Sequence, residues 1–213
     1  MKNVLITGFE PFGKEKENPS LEVLSYLKDD DILGVNLDTA CLPTTFNCFE
    51  DVLNMIGDKQ YDIIIHIGQA GGRAKVTLEK VAVNYKNAAI PDNQGNQPLE
   101  ELIVNGGPDG IFSTLHVEDL VNHLQLLKLP VDISFTAGTY VCNYIMYSSL
   151  YYFRGTTTKV GFVHIPFSPR QVVNKNQPSM DPQLVASIIK EMVIGICYNN
   201  LKASVNKKLG RTH

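Results

Sequence analysis

Along the chain, short continuous apolar runs alternate with longer stretches in which apolar residues recur every three or four positions. The first pattern predicts strands buried on both faces, the second amphipathic helices, and their alternation an α/β protein. Strands are expected over residues 3–9 (NVLITGF), 32–40 (ILGVNLDTA), 61–68 (YDIIIHIG), 76–84 (VTLEKVAVN), 131–135 (VDISF) and 160–166 (VGFVHIP). One helix should open at Asn18-Pro19, where Asn18 can cap and Pro19 suits the first helical position. Others are expected over about 45–58, 116–127 and 142–153. The last starts at Asp181-Pro182 and carries Leu184, Val185, Ile188, Ile189, Met192, Val193 and Ile196 on one stripe, the pattern of a core-packing helix. Residues 85–113 break this rhythm: they are rich in Asn, Gly, Pro and Asp without sustained periodicity, and loops this long inside a domain are often functional. The polar tail, 203–213, is expected to fray.

Length and composition narrow the class. With 213 residues, 44% of them hydrophobic, the chain is long enough for one sizeable core and short for two, so residues 1–213 are expected to form a single domain. A formal net charge of -3 offers no electrostatic footprint for nucleic acid. No stretch approaches the roughly 18 apolar residues of a membrane span, and the N-terminus lacks the pattern of a signal peptide. The four cysteines, Cys41, Cys48, Cys142 and Cys197, lack the paired spacing of a zinc site or a redox motif. These features predict a cytoplasmic protein with reduced thiols, without membrane or nucleic-acid partners.

One of those thiols stands apart. In TAGTYVCNYIMYSSLYYF, residues 136–153, the apolar or small residues fall at Cys142, Ile145, Met146, Ser149, Leu150 and Phe153, which is helical spacing. Cys142 therefore belongs to the first turn of a helix, where unpaired N–H groups and the dipole favour a thiolate. A free cysteine is more often simply a buried apolar residue, so a nucleophile needs partners. Of five histidines, His116 and His123 belong to an expected surface helix, His213 ends the chain, and His66 inside DIIIHIG reads as a satisfied core histidine. His164 closes a buried strand just before IPFSP, and sites in open α/β sheets gather at the carboxyl ends of strands. Glu79, flanked by apolar residues in VTLEKVAVN, is a candidate orienting carboxylate, since a buried acid must be paired. GFEPFG, residues 8–13, is no phosphate loop because its second glycine is followed by Lys-Glu-Lys; its Phe9 and Phe12 suggest an apolar pocket.

Taken together, TGFEPFG (7–13), NPS (18–20), LPTTF (42–46), GQAGGR (68–73), LEKVAVN (78–84), IPDNQGNQP (90–98), AGTYVCNYIMY (137–147) and GFVHIPFSPRQ (161–171) resemble the pyroglutamyl peptidase type I family, also called pyrrolidone carboxyl peptidases. The resemblance runs in order over nearly the whole chain. It implies a three-layer α/β/α sandwich on a mixed, mostly parallel sheet, assembled as a homo-oligomer, a tetramer or dimer. It also implies a cysteine hydrolase that removes 5-oxoproline from peptides with N-terminal pyroglutamate, using no metal and no cofactor. The family's nucleophile, base and orienting carboxylate fall on Cys142, His164 and Glu79, and its lactam pocket on Phe9, Phe12, Thr44, Gln69, Ile90, Tyr140 and Val141. There are two departures. Ala89 stands where the family usually carries an arginine, and Phe135 where it usually carries an asparagine. They leave open two other readings: a relative that binds a lactam or peptide end without cleaving it, and a thiol hydrolase of another small amide.

Overall fold

In the computed structural model, residues 1–28 and 32–198 are described; the tail expected to fray lies outside them. The strands are β1 (Lys2–Phe9), β2 (Val35–Leu42), β3 (Ile63–Gln69), β4 (Val76–Glu79), β5 (Val81–Val83), β6 (Gly110–Phe112), β7 (Val131–Ser134) and β8 (Lys159–Ile165). The helices are α1 (Pro19–Lys28), α2 (Cys48–Ile56), α3 (Val117–Leu126), α4 (Val141–Tyr152) and α5 (Pro182–Tyr198), with a short 3-10 turn over Pro169–Val172. Asn18 does cap α1, its Oδ1 accepting from the Ser20 N–H at 3.1 Å.

Six strands form one sheet in the order β2-β1-β3-β8-β4-β7, and β5 pairs with β6 in a separate two-stranded sheet. Every neighbouring pair in the large sheet is parallel except β4 with β8. The sheet is therefore mixed and mostly parallel, as expected. Alternate residues of each strand feed two separate cores. Val4, Ile6, Ile63, Ile65, Ile67, Leu78, Ile133, Val163 and Ile165 pack with α1, α3 and α5. Leu5, Phe9, Ile64, Val160 and Phe162 pack with α2 and α4 on the other side. With helices on both faces this is a three-layer sandwich, and it explains why the central strands read as unbroken apolar runs.

The structure corrects two expectations. The expected strand 76–84 is two strands, because the backbone changes partner at Lys80. Lys80 N donates to Ser134 O at 2.7 Å, while Lys80 O accepts from Ser113 N at 2.9 Å. His123 is not on a surface helix face but buried, one turn after the core residue Leu120, and its Nδ1 has no hydrogen-bond partner among the described residues. The irregular segment 85–109 is held by three polar side chains. Asn84 Oδ1 accepts from the N–H groups of Ile103 and Val104. Asp92 accepts from Phe46, Gln94 and Asn96 N–H groups. Burial works against the Asp92 charge, yet these backbone donors outweigh it and hold the carboxyl below its usual range. Asn143, the residue after Cys142, bonds the backbone of Val83 and Tyr85 and so ties the start of α4 to this segment.

His66 is the core histidine that the sequence suggested. Fully buried on β3, it hydrogen-bonds Thr7 Oγ1 on β1 at 2.7 Å and Ser149 Oγ on α4 at 2.9 Å. Burial lowers its pKa from 6.5 to about 3, so it is neutral in the fold. The unfolded chain, with an ordinary value of about 6.5, binds a proton that the native state refuses below that pH. Stability from this group is thus complete above about pH 6.5 and falls by roughly 1.4 kcal/mol per pH unit below it. In urea denaturation, this group's own share is expected to be about 2 kcal/mol less stability at pH 5 than at pH 7. A His66→Asn variant, already weaker at pH 7, should show the shallower slope; an unchanged slope contradicts this account.

Candidate active site

The antiparallel pairing of β4 with β8 assembles the centre of the site. Thr77 lies opposite His164, so Glu79, two residues further along β4, shares the same face of the sheet. His164 Nδ1 donates to Glu79 Oε1 at 2.7 Å; His164 is 4% exposed and Glu79 0%. The same oxygen accepts a second bond, from Arg73 Nη1 at 2.7 Å. Arg73 also donates to Thr77 Oγ1 and, at 3.4 Å, to Thr136 O. Arg73 was not among the residues expected to act here. The signal that could have found it is the buried acid itself, which demands a cation, and GQAGGR is the adjoining turn.

Cys142 enters from the opposite direction, as the second residue of α4. Its sulfur lies 3.2 Å from where a Cβ on Gly68 would stand, and Gly68 pairs in register with His164. A side chain at position 68 would also meet the Phe162 ring at 2.6 Å, so glycine there is what admits the thiol to the sheet. Because Nδ1 is committed to Glu79, Nε2 is the ring nitrogen left free to take a proton. The electrostatics overturn one expectation. The thiol is not acidified but pushed up to about 12, first by burial and then by the Glu79 charge, with Arg73 acting in the opposite direction. A helix terminus supplies only about 0.3–1 kcal/mol, less than one pKa unit, whereas burial can shift a group by several. Burial likewise lowers His164, and its bond to Glu79 offsets only part of that. At rest the thiol and the imidazole are both neutral.

Of the expected pocket residues, Phe9, Phe12, Thr44, Gln69, Tyr140 and Val141 line one narrow cavity with Cys142, joined by Asn18 and Gly68. No acidic side chain is among them. Ile90 is not in this lining; it is 42% exposed and lies against Gly13. Gln69 Oε1 accepts from Gln171 Nε2 at 2.7 Å, which fixes the amide and leaves its NH2 group without a hydrogen-bond partner among the described residues. The cavity holds about 10 Å³ of free space, room for roughly one water. Phe12 and Tyr140 meet across it with ring centroids 5.9 Å apart, and Tyr140 OH donates to Pro91 O at 3.0 Å. Ala89 is exposed. Phe135 is turned out of this cavity, 47% exposed on the wall of a neighbouring cleft. Among the described residues no group of three or more His, Cys, Asp or Glu could hold a metal ion, and no helix is long and apolar enough to cross a membrane.

Arg73 lowers the pKa of both His164 and Cys142. In Arg73→Ala the imidazole should therefore stay protonated to higher pH, moving the acid limb of the kcat/KM profile upward. Arg73→Lys should restore most of the parent profile. A fall in activity with no movement of the limb would mean that Arg73 merely supports the fold.

The family profile described as pyroglutamyl peptidase matches residues 2–199. The pyrrolidone-carboxylate peptidase of Vibrio campbellii is 42% identical over 186 residues, covering 87% of this chain and 88% of that protein. The corresponding protein of Thermosipho africanus is 43% identical, covering 91% and 94%. Among solved structures, pyroglutamyl peptidase I from Bacillus amyloliquefaciens superposes with a TM-score of 0.87 at 37% identity, covering 91% of this chain and 93% of that one. Pyrrolidone carboxyl peptidase from Thermococcus litoralis gives 0.89 at 32% identity, covering 97% and 100%. A match over almost the whole length, in sequence and in fold alike, means that this chain belongs to the pyroglutamyl peptidase family.

Proposed function

We propose that this protein is a cysteine peptidase that hydrolyses the amide bond after an N-terminal pyroglutamyl residue, with Cys142 as nucleophile, His164 as general base and acid, and Glu79 as the group that orients it. The observation that carries this reading is the cavity at Cys142, which is aromatic and aliphatic and has no carboxylate. An aminopeptidase must offer acids to a charged amine; a pyroglutamyl residue has no ammonium and presents a flat, neutral lactam. Phe9, Phe12, Tyr140 and Val141 supply walls for that ring, with Thr44 at its side and the free amide of Gln69 available to its carbonyl. Ile90 stays outside the cavity until the ring enters; binding requires Phe12 and Tyr140 to part, which brings the 90–98 segment into play through the Tyr140 bond to Pro91.

Chemistry follows from the neutral resting pair. His164 Nε2 takes the Cys142 proton as sulfur attacks the scissile carbonyl. The oxyanion forms beside the start of α4, where backbone N–H groups are unpaired. His164 returns its proton to the leaving amine, and water, activated by the same nitrogen, cleaves the thioester to release 5-oxoproline. No step needs a metal or cofactor. Substrates are peptides with an N-terminal pyroglutamate, and the enzyme works as a single catalytic domain in a cytoplasmic homo-oligomer.

The test is hydrolysis of pyroglutamyl-coumarin amide by the pure protein, with prolyl-coumarin amide as control. Lactam-selective cleavage is expected, with kcat/KM falling by at least about a thousandfold in Cys142→Ala and in His164→Ala. Ala89→Arg, which restores the family's usual cation, is expected to raise kcat/KM by about tenfold. No cleavage by the parent, or turnover retained in Cys142→Ala, would overturn the reading.

A further inference from the structure

Helix α4 covers only part of the sheet face on which Cys142, His164 and Glu79 meet. It packs on β3, β8 and the β5–β6 pair, and among the described residues no helix lies over β4 and β7 on this side. An open cleft of about 500 Å³ occupies that place, lined by Arg73, Lys75, Thr77, Asp132, Ser134 and Phe135. Pairing explains its composition. Thr77 is opposite His164 and in register with Asp132, and Glu79 is in register with Ser134, so these polar residues share the face of the catalytic pair. The cleft is thus the uncovered continuation of the catalytic row. Of its two cations, Arg73 is committed to Glu79, and Lys75 faces Asp132. The Lys75–Asp132 pair is long, 3.5 Å, and half exposed, which leaves the ammonium free to change partners. Phe135 adds a large apolar surface at the same wall.

Distance links the cleft to the reaction. Arg73 on its wall bonds the oxygen that bonds His164, two successive contacts of 2.7 Å. An extended peptide advances about 3.3–3.6 Å per residue. Its first two or three residues beyond the scissile bond are therefore long enough to pass from the imidazole into the cleft. We propose that this cleft is the subsite for the leaving portion of the substrate, and that it favours short peptides with a free carboxylate, Lys75 receiving the carboxylate and Phe135 an apolar side chain. The proposal rests on the peptidase reading above and assigns a role to one of the chain's departures from its family, Phe135.

The experiment compares pyroglutamyl-alanyl-alanine as free acid and as carboxamide, with pyroglutamyl-coumarin amide as a substrate that lacks a leaving peptide. In the parent, kcat/KM for the acid should exceed that for the carboxamide by about fivefold, the scale of one partly exposed ion pair. Lys75→Glu should abolish or invert the preference, and Phe135→Ser should weaken both peptides relative to the coumarin amide, mainly through KM. Calorimetric binding of the two peptides to Cys142→Ala, with and without Lys75→Glu, should show the same preference and its loss without any turnover. A parent that does not distinguish acid from carboxamide, or a preference that survives Lys75→Glu, overturns the proposal. So does a Lys75→Glu variant whose sedimentation reveals a smaller oligomer while its substrate preference is unchanged, since the cleft would then be covered by a second copy of the chain. An uncleaved coumarin amide counts against the peptidase reading alone, and the binding preference still decides the cleft.

Discussion

A carboxylate with no exposed surface, Glu79, is the constraint around which this end of the molecule is arranged. A charge in that position is tolerable only if it is paired and hydrogen-bonded. One of its oxygens accepts from both Arg73 and His164. Those two bonds fix the imidazole by its Nδ1 and draw the 70–75 turn against the sheet. They are available because β4 runs antiparallel to β8, which sets Glu79 diagonally across from His164 on one face. The reversal of β4 in an otherwise parallel sheet is thus the topological origin of the Glu79–His164 pair.

Two electrostatic influences compete at Cys142, and their sizes decide the resting state. The helix start favours a thiolate by a fraction of a pKa unit, while burial among Phe162, Gly68 and α4, with Glu79 nearby, opposes it by more. The thiol therefore rests protonated, and the imidazole neutral. Arg73 moderates this balance, since it partly cancels the Glu79 charge that both groups feel. A neutral thiol also protects this half-buried sulfur from unselective oxidation, because it is the thiolate that reacts.

Much of this was legible in the sequence, and for physical reasons. Central strands such as Ile63–Gln69 are covered on both faces and so read as apolar runs; Asn18-Pro19 and Asp181-Pro182 mark helix starts by their own chemistry. Cys142, His164 and Glu79 could be chosen because each carries a local signature: a helix start, a strand end, an acid among apolar neighbours. What the sequence hid depends on partners far along the chain. Lys80 gives no local sign that its N–H and C=O serve different strands. His123 is an ordinary helix residue until α3 packs down on its side of the sheet. Arg73 becomes part of the site only through the antiparallel turn, and Ile90 shows that a residue matching a family pocket need not line the cavity in the unliganded fold.

The most direct test is nitrogen NMR of the His164 ring in the unliganded protein. The account predicts a neutral imidazole at pH 7, protonated at Nδ1 toward Glu79 with Nε2 bare, and titrating below the ordinary histidine range. An imidazolium at pH 7, or a proton on Nε2, would contradict it. The first would mean that the thiol is already ionised; the second would mean that Glu79 does not orient the base.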